Sequence, residues 1–479
     1  MTWVQLFFRF YVKIIAKCFF ATDSIELCQG IDKENDRSST SRTSLCRSKN
    51  TRMKILLLQG PVGPFFKHLA TELRSFGHEV SKINFNGGDY LFYQGLDVTA
   101  FRAHPSAWPG FLRRFLNERG IERIYLFGEY RLYHRSAINI AKQLELDVFV
   151  FEEGYIRPNY VTLERDGVNA NSRIPRDPQF YRGQPESAPL QPRPVENVFS
   201  RAGWMATGYW VAGGLLKPLF PYYQHHRGFN FAYEAFAWVR SWARKHLNKR
   251  NDSLVLQQLI EAHSKNFFLV PLQVATDAQV HSHSDFFDKW DFIEQVVRSF
   301  SEHAPQKIHL VFKHHPMDRG YNDYTRYIDE ITERYRVRER VHYVHDSHLP
   351  TLLDHALGTV VINSTVGLSS LLHNTPVKVL GRANYDMPGL THSGTLASFW
   401  QAPSPIDAQL HAQFRQYLLT HNQINGNFYS RLRDSDTPTG LVWPKWYIEQ
   451  HLNAVAAAAG PKLVASNGNN ERSQGKNAA

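Results

Sequence analysis

Residues Thr359 to Gly381, TVVINSTVGLSSLLHNTPVKVLG, constrain the fold most. An apolar run from Thr359 to Ile362 ends in the polar cluster Asn363-Ser364-Thr365. Gly367 to His373 then reads as a short helix and Val377 to Leu380 as the next strand. Strand, turn, helix, strand is the repeat of an α/β sheet. A polar turn at the carboxyl end of a buried strand, feeding helix amides that lack internal partners, suits an anionic group such as a phosphate. An ordinary βα turn with a Ser/Thr cap accounts for the same residues.

The pattern occurs twice along the chain. Met53 to Leu58 reads as a strand, followed by a glycine-containing turn and an amphipathic helix with Phe66, Leu69 and Leu73 on one face. Lys82 to Phe85 is the next strand, before Asn86-Gly87-Gly88-Asp89, and the G-x-G-x-x-G spacing of a dinucleotide site is absent. Ile124 to Phe127 and Asp147 to Phe151 are apolar strands ending in Gly128-Glu129 and Glu152-Glu153-Gly154. In the second half, Phe267 to Pro271 leads to Gln273 and Asp277. A helix covers Phe286 to Phe300, Ile308 to Phe312 ends in Lys313-His314-His315-Pro316, and Val341 to Tyr343 is a further strand. In open parallel sheets such strand ends are where ligands sit. The fold class expected is α/β, with two Rossmann-like domains in a GT-B-type arrangement and a helical aromatic insert.

Residues 1–52 read as a poorly structured extension, because their apolar runs are broken by Arg9, Lys13 and Lys17 and a Ser-rich polar stretch follows. The first Rossmann-like domain is expected over 53–190, and a linker with an aromatic and basic helical insert over 191–255. A second Rossmann-like domain follows over 256–400, C-terminal helices returning to the core over 401–453, and a disordered tail over 454–479. The insert carries Trp204, Trp210, Trp238 and Trp242 with the basic ends His225-His226-Arg227 and Arg244-Lys245-His246. Aromatic rings with flanking cations suit a lipid headgroup interface, and they equally suit a helical unit packed on the protein's own core.

The chain has 479 residues and a net charge of +11, which points to an acidic partner. No zinc-finger spacing or RNA-recognition signature is present, which argues against nucleic acid. All three cysteines, Cys18, Cys28 and Cys46, precede Met53. Disulfides, thiolate metal sites and cysteine nucleophiles are therefore excluded from the body of the protein.

Four strand ends stand out together: FEEGYIRP (Phe151 to Pro158), PLQVATDAQ (Pro271 to Gln279), FKHHP (Phe312 to Pro316) and INSTVG (Ile362 to Gly367). Their combination and order resemble the bacterial capsule polysaccharide biosynthesis family. The opening GPVGPFFKHLA, NFNGGD at Asn84 to Asp89 and YYQHHR at Tyr222 to Arg227 are most similar to its KpsS-like branch, and the resemblance runs from Met53 to about Trp446.

The resemblance implies a retaining glycosyltransferase that moves the first β-Kdo from CMP-β-Kdo to a lysophosphatidylglycerol-type acceptor. Such a protein is cytoplasmic and peripheral on the inner face of the inner membrane. Its partners are that anionic membrane surface, a second Kdo transferase and the capsule exporter. Within the family the Q-x-x-x-D motif is associated with the nucleophile, which Gln273 and Asp277 match. A cap on the following helix is the other role open to Asp277. Glu153 is the candidate general acid/base, with Glu152 the alternative; a base working near neutral pH needs its pKa raised by burial or a nearby carboxylate. His315 and Pro316, matching the family's H-P motif, together with Asn363, Ser364 and Thr365, are implied at the nucleotide, with Lys313 and His314 as weaker candidates. Arg157 and Arg173 are both open as the cation for the Kdo carboxylate. No cofactor and no metal are implied, since CMP leaves as a phosphate monoester that protein donors can meet, and the single D-x-D, Asp434-Ser435-Asp436, lies beyond the nucleotide domain. Family members often read D-S-Q where this chain has Asp277-Ala278-Gln279. A transferase of another CMP-activated sugar acid, such as sialic acid, and a non-catalytic export scaffold are the competing readings.

Overall fold

The computed structural model describes residues 52–183, 192–196, 198–225, 231–274, 284–286, 288–432 and 435–448. Twelve strands form in chain order: β1 Lys54–Leu57, β2 Glu79–Asn84, β3 Val98–Ala100, β4 Arg123–Phe127, β5 Asp147–Glu153, β6 Tyr160–Arg165, β7 Phe267–Pro271, β8 His309–Lys313, β9 Val341–Val344, β10 Gly358–Val361, β11 Val377–Val379 and β12 Gln423–Asn425. They build a seven-stranded sheet in the order β12-β6-β5-β4-β1-β2-β3 and a five-stranded sheet in the order β11-β10-β7-β8-β9. The second sheet is parallel throughout; in the first, β6 pairs antiparallel with β5, and β12 antiparallel with β6.

Each sheet starts on an inner strand, grows to one side, then returns to the other. The strand order therefore reverses between β1 and β4 in the first sheet and between β7 and β10 in the second. These switch points leave a crevice at the carboxyl ends of the strands.

The apolar runs explain the cores. All five residues of β7, FFLVP, are buried, as expected of a central parallel strand covered on both faces. Phe268 and Val270 join one core cluster, and Phe267 and Leu269 the opposite one. In the first sheet Ile55 and Leu57 face one cluster and Leu56 and Leu58 the other. Strand β2 starts at Glu79, ahead of the apolar run at Lys82, because Glu79 pairs with Lys54. The helix expected from Phe286 begins at Lys289, where the Asp288 carboxylate accepts from the Asp291 N–H at 3.0 Å.

The lobes meet through a further buried cluster. Tyr155, Ile174 and Tyr181 pack with Val361 of β10, Val377 and Val379 of β11, Leu368 and Tyr385.

The insert divides its packing between the lobes. Asn86 caps the helix Gly87–Phe92 by accepting from the Asp89 N–H at 2.9 Å, and the helix Val198–Leu215 lies against that turn. A Cβ on Gly87 would stand 2.3 Å from the Ala212 carbonyl, and one on Gly88 2.4 Å from the Tyr209 ring. The Gly-Gly pair is thus what lets the insert approach. The helix Phe231–Glu261 packs on the second lobe: Arg244 donates to the Arg319 and Asn322 carbonyls, both at 2.9 Å, and Lys245 pairs with Asp346 at 3.3 Å. Two cations of the basic end expected at a lipid surface are therefore engaged within the protein. The insert also carries exposed aromatic residues, Phe199, Trp204, Trp238 and Trp242. Among the described residues no helix is long and apolar enough to cross a membrane.

Candidate active site

On the second lobe, the ends of β7, β8 and β10 lie side by side. Gln273 follows β7 and is buried, and its Nε2 donates to Asn363 Oδ1 at 3.0 Å while the Asn363 N–H donates to Gln273 Oε1 at 3.3 Å. This reciprocal bond crosses the β7/β10 switch point. Lys289, buried at the head of its helix, donates its ammonium to the Gln273 carbonyl. Gln273 is thereby held at the crevice; Asp277, Ala278 and Gln279 lie outside the described residues. The helix that begins at Lys289 is capped by Asp288, so Asp277 is not needed for that duty.

From β8 come Lys313, His314, His315 and Pro316. Lys313 is buried, and burial lowers its pKa, with Asp346 and Asp252 opposing. His314 points into the protein: it is buried, with its Nδ1 2.5 Å from the Tyr343 hydroxyl. His315 is half-buried. Its Nδ1 accepts from the Met317 N–H at 3.1 Å, which leaves the ring proton on Nε2. Burial first, then the Lys313 cation, lowers its pKa to about 4, so the imidazole is a neutral donor. Pro316 is exposed.

From β10, Ser364 Oγ accepts from the Val366 N–H at 3.2 Å and the Ser364 carbonyl accepts from the Tyr385 hydroxyl at 2.5 Å. Thr365 is half-buried and makes no side-chain cap to its helix. A Cβ on Gly367 would stand 2.2 Å from the Tyr385 oxygen, so glycine permits this turn to close on Tyr385.

On the first lobe β5 delivers Glu152 and Glu153, paired with Thr162 and Val161 of β6. Successive residues face opposite sides of a strand, so the two carboxylates meet different surroundings. Glu153 Oε1 accepts from the Tyr429 hydroxyl at 3.1 Å. Burial raises the Glu152 pKa to about 7; the Glu153 charge adds to this, while the Glu153 N–H, Arg131 and Arg157 oppose it. The Arg157 charge also acts on His315 of the other lobe, lowering its pKa slightly. Arg173 pairs with Asp166 at 2.5 Å.

Three supporting residues carry no motif. His134, fully buried, accepts the Gln59 N–H on Nε2 at 3.2 Å and donates from Nδ1 to the Gly128 carbonyl at 2.7 Å, tying the ends of β1 and β4 across the first switch point. Arg131 donates to the Gly60 carbonyl at 3.0 Å. Tyr429 arrives from the far end of the chain. The only sequence signal for any of them is the run Gly128-Glu129-Tyr130-Arg131 just after β4.

Two Rossmann-like lobes whose polar strand ends gather at both switch points define a GT-B-type protein. The chain belongs to the capsule polysaccharide biosynthesis protein family, which matches over residues 122–429 and so takes in every strand end described on β5, β7, β8 and β10. It is 42% identical over 381 residues to the capsule polysaccharide export protein KpsS of Escherichia coli, covering 78% of this chain and 97% of that one. It is 44% identical over 402 residues to the capsule polysaccharide modification protein LipB of Neisseria meningitidis serogroup A, covering 80% and 95%. The solved structure of Thermosulfurimonas dismutans KpsC, beta Kdo 2,4 transferase, is a distant likeness, 13% identical with a TM-score of 0.40 over 83% of this chain and 97% of that one.

Proposed function

We propose that this capsule polysaccharide biosynthesis protein transfers the first β-Kdo residue from CMP-β-Kdo to a lysophosphatidylglycerol-type acceptor, with retention, and so starts the poly-Kdo linker of a capsular polysaccharide. The observation that supports the reading is the Gln273–Asn363 bond across the β7/β10 switch point, which joins the first residue of the Q-x-x-x-D motif to the strand end that carries Ser364 and Thr365. The sugar and nucleotide rest on the match of Gln273-x-x-x-Asp277 and His315-Pro316 to the family's motifs.

The Asp277 carboxylate bonds to the anomeric carbon as the bond from that carbon to the phosphate oxygen breaks, and CMP departs. Nε2–H of His315 and the hydroxyls of Ser364 and Thr365 meet the charge on the leaving phosphate. The acceptor hydroxyl then attacks from the face that CMP left. Its proton passes to the acid pair, and the ester bond to Asp277 breaks, restoring the carboxylate. Burial gives Glu152 the proton affinity that this step requires near neutral pH, a point in its favour over the Glu153 expected from sequence. Arg157, whose charge acts on both Glu152 and His315, is taken as the cation for the Kdo carboxylate, since Arg173 is paired with Asp166. The exposed aromatic surface of the insert suits residence on the inner membrane's cytoplasmic face, where a second Kdo transferase and the exporter would follow.

The test is to incubate the purified full chain with CMP-Kdo and lysophosphatidylglycerol and weigh the lipid product. A mass gain of one Kdo is expected; an unchanged mass alongside an active control transferase removes the reading, and incorporation of sialic acid instead of Kdo replaces it. The E. coli relative's name admits a scaffold without catalysis, in which case the Asp277→Ala variant would support capsule assembly as well as wild type does.

A further inference from the structure

A cavity of about 360 Å³ opens between the first lobe and the insert, lined among others by Asn86, Lys217, Phe220, Tyr223, Gln224 and His225. It is not part of the nucleotide crevice. Asn86 follows β2, so the cavity stands on the same carboxyl edge of the first sheet as Glu152 and Glu153, with β1 and β4 between.

Two of the lining residues, Asn86 and Tyr223, are held by a polar network behind them, Asn86 Nδ2 donating to the Tyr209 hydroxyl at 2.6 Å. Gln59 Nε2 reaches both Asp89 oxygens at 3.2 Å, the Tyr209 hydroxyl at 2.9 Å and the Tyr223 hydroxyl at 3.1 Å. Asp89 also accepts the Phe85 N–H at 3.0 Å, and the buried Lys82 ammonium acts on it, so its charge is met from within. Two cations stand at the cavity: Lys217 and the imidazole of His225 are among its lining, and the Arg102 guanidinium lies 5.7 Å over the ring of the lining Phe220, so Lys217 and Arg102 supply its positive charge. Next to these residues in the chain, Leu219 and Tyr222 are exposed apolar surface. Cations, hydrogen-bonding groups and a neighbouring apolar margin match an amphiphile with an anionic, hydroxyl-bearing head.

We infer that this cavity seats the headgroup phosphodiester of the lipid acceptor, deepening the proposed function and resting on its lipid-acceptor reading. The phosphate meets Lys217 and Arg102, and the adjoining glycerol hydroxyl meets Asn86 and Gln224. The acyl chain stays outside along Leu219 and Tyr222.

The probe is glycerophosphoglycerol, the headgroup without its chain, titrated calorimetrically into the full chain without donor, with inorganic phosphate and CMP in parallel. The variants are Lys217→Glu, which reverses a lining charge, and Gln224→Trp, which fills the cavity from an exposed position. Each is expected to weaken headgroup binding by about tenfold or more and to raise the acceptor KM in step, with the donor KM within about twofold of wild type. Folded variants with wild-type headgroup affinity and acceptor KM overturn the inference while leaving the transferase reading intact. Inorganic phosphate binding as tightly as the headgroup also overturns it, because the site would then be a plain anion hole. A wild-type protein that binds the headgroup but transfers no Kdo, with that binding lost in both variants, keeps the cavity assignment and removes the sugar reading.

Discussion

Gln273 and Asn363, 90 residues apart, exchange two hydrogen bonds at 3.0 and 3.3 Å across the point where the second sheet reverses its strand order. Neither amide is free to rotate without breaking a bond to the other. The consequence is a fixed separation between the β7 end, which continues to Asp277, and the β10 end, which carries Ser364.

Replacing either amide should disturb donor binding more than folding. Gln273→Ala and Asn363→Ala are each expected to raise the donor KM about tenfold and to cost about 1–2 kcal/mol in stability, since one partly buried polar partner is left unsatisfied. The double variant should be little worse than either single one, giving a coupling energy of roughly 1 kcal/mol in a double-mutant cycle. Additive effects would show that the two residues act apart.

Asp277 and Asp288 separate chemistry from capping. Asp288 caps the helix Lys289–His303, so Asp288→Ala is expected to lose about 1 kcal/mol of stability and to keep its activity. Asp277→Ala should retain the wild-type Tm and lose transfer by on the order of 10³-fold or more. Thermal melts and product assays on the same preparations decide between these roles.

The raised pKa of Glu152 gives the acid pair a signature in pH. A carboxylate that accepts a proton must be ionised beforehand, so kcat/KM should rise with pH and level off near the value of about 7 to which burial has raised Glu152. In Glu152→Gln that limb should vanish along with most of the rate. In Glu153→Gln it should persist, moved to lower pH because the Glu153 charge that helps raise the Glu152 pKa is removed, while the amide oxygen can still accept from the Tyr429 hydroxyl. If the limb survives in Glu152→Gln and disappears in Glu153→Gln, the roles are reversed.

Much of this was legible from residue pattern, and the reasons are local. Strand β7 is an unbroken apolar run because a central parallel strand is covered on both faces, and the sequence pattern gives the same residues, Phe267 to Pro271. Strands β6 and β12 leave no comparable pattern. They pair antiparallel with each other, Thr162 with Gln423, and a three-residue strand such as β12 has too few positions to show alternation. At the site, Gln273 and Asn363 could each be placed at a strand end, but their bond follows from β10 returning beside β7, which no stretch of sequence records. Lys289 reads as a surface lysine at a helix start, yet folding buries it and turns its ammonium onto the Gln273 carbonyl.

His134 is expected to make the fold acid-sensitive. Its two ring nitrogens already serve one donor and one acceptor as the neutral tautomer, and burial lowers its pKa from 6.5 to about 3. The unfolded chain binds the proton more readily. The stability this group contributes is therefore full above pH 6.5 and is lost as pH falls toward 3. His134→Phe should be destabilised by about 2–4 kcal/mol at neutral pH, from the unpaired Gln59 N–H and Gly128 carbonyl, and should lose part of the wild-type slope of stability between those two pH values. Denaturant melts across that range measure both, and an unaltered slope would remove His134 as the titrating group.

The Gly87-Gly88 pair carries the last prediction, because it is where the insert meets the first lobe. A Cβ at Gly87 would sit 2.3 Å from the Ala212 carbonyl, a backbone atom that can move only if the helix Val198–Leu215 moves. Gly87→Ala should therefore cost about 1–3 kcal/mol as overpacking. It should also displace one wall of the cavity that Asn86 and Gly213 line from opposite sides, raising the acceptor KM and sparing the donor KM. Gly110 offers the control: it lies inside the helix Trp108–Arg119, and an added Cβ meets nothing within 4 Å. Gly110→Ala should gain about 0.5–1 kcal/mol from helix propensity and leave both KM values unchanged. If Gly87→Ala behaves as Gly110→Ala does, the close approach of the insert is not what these glycines serve, and the cavity wall does not depend on it.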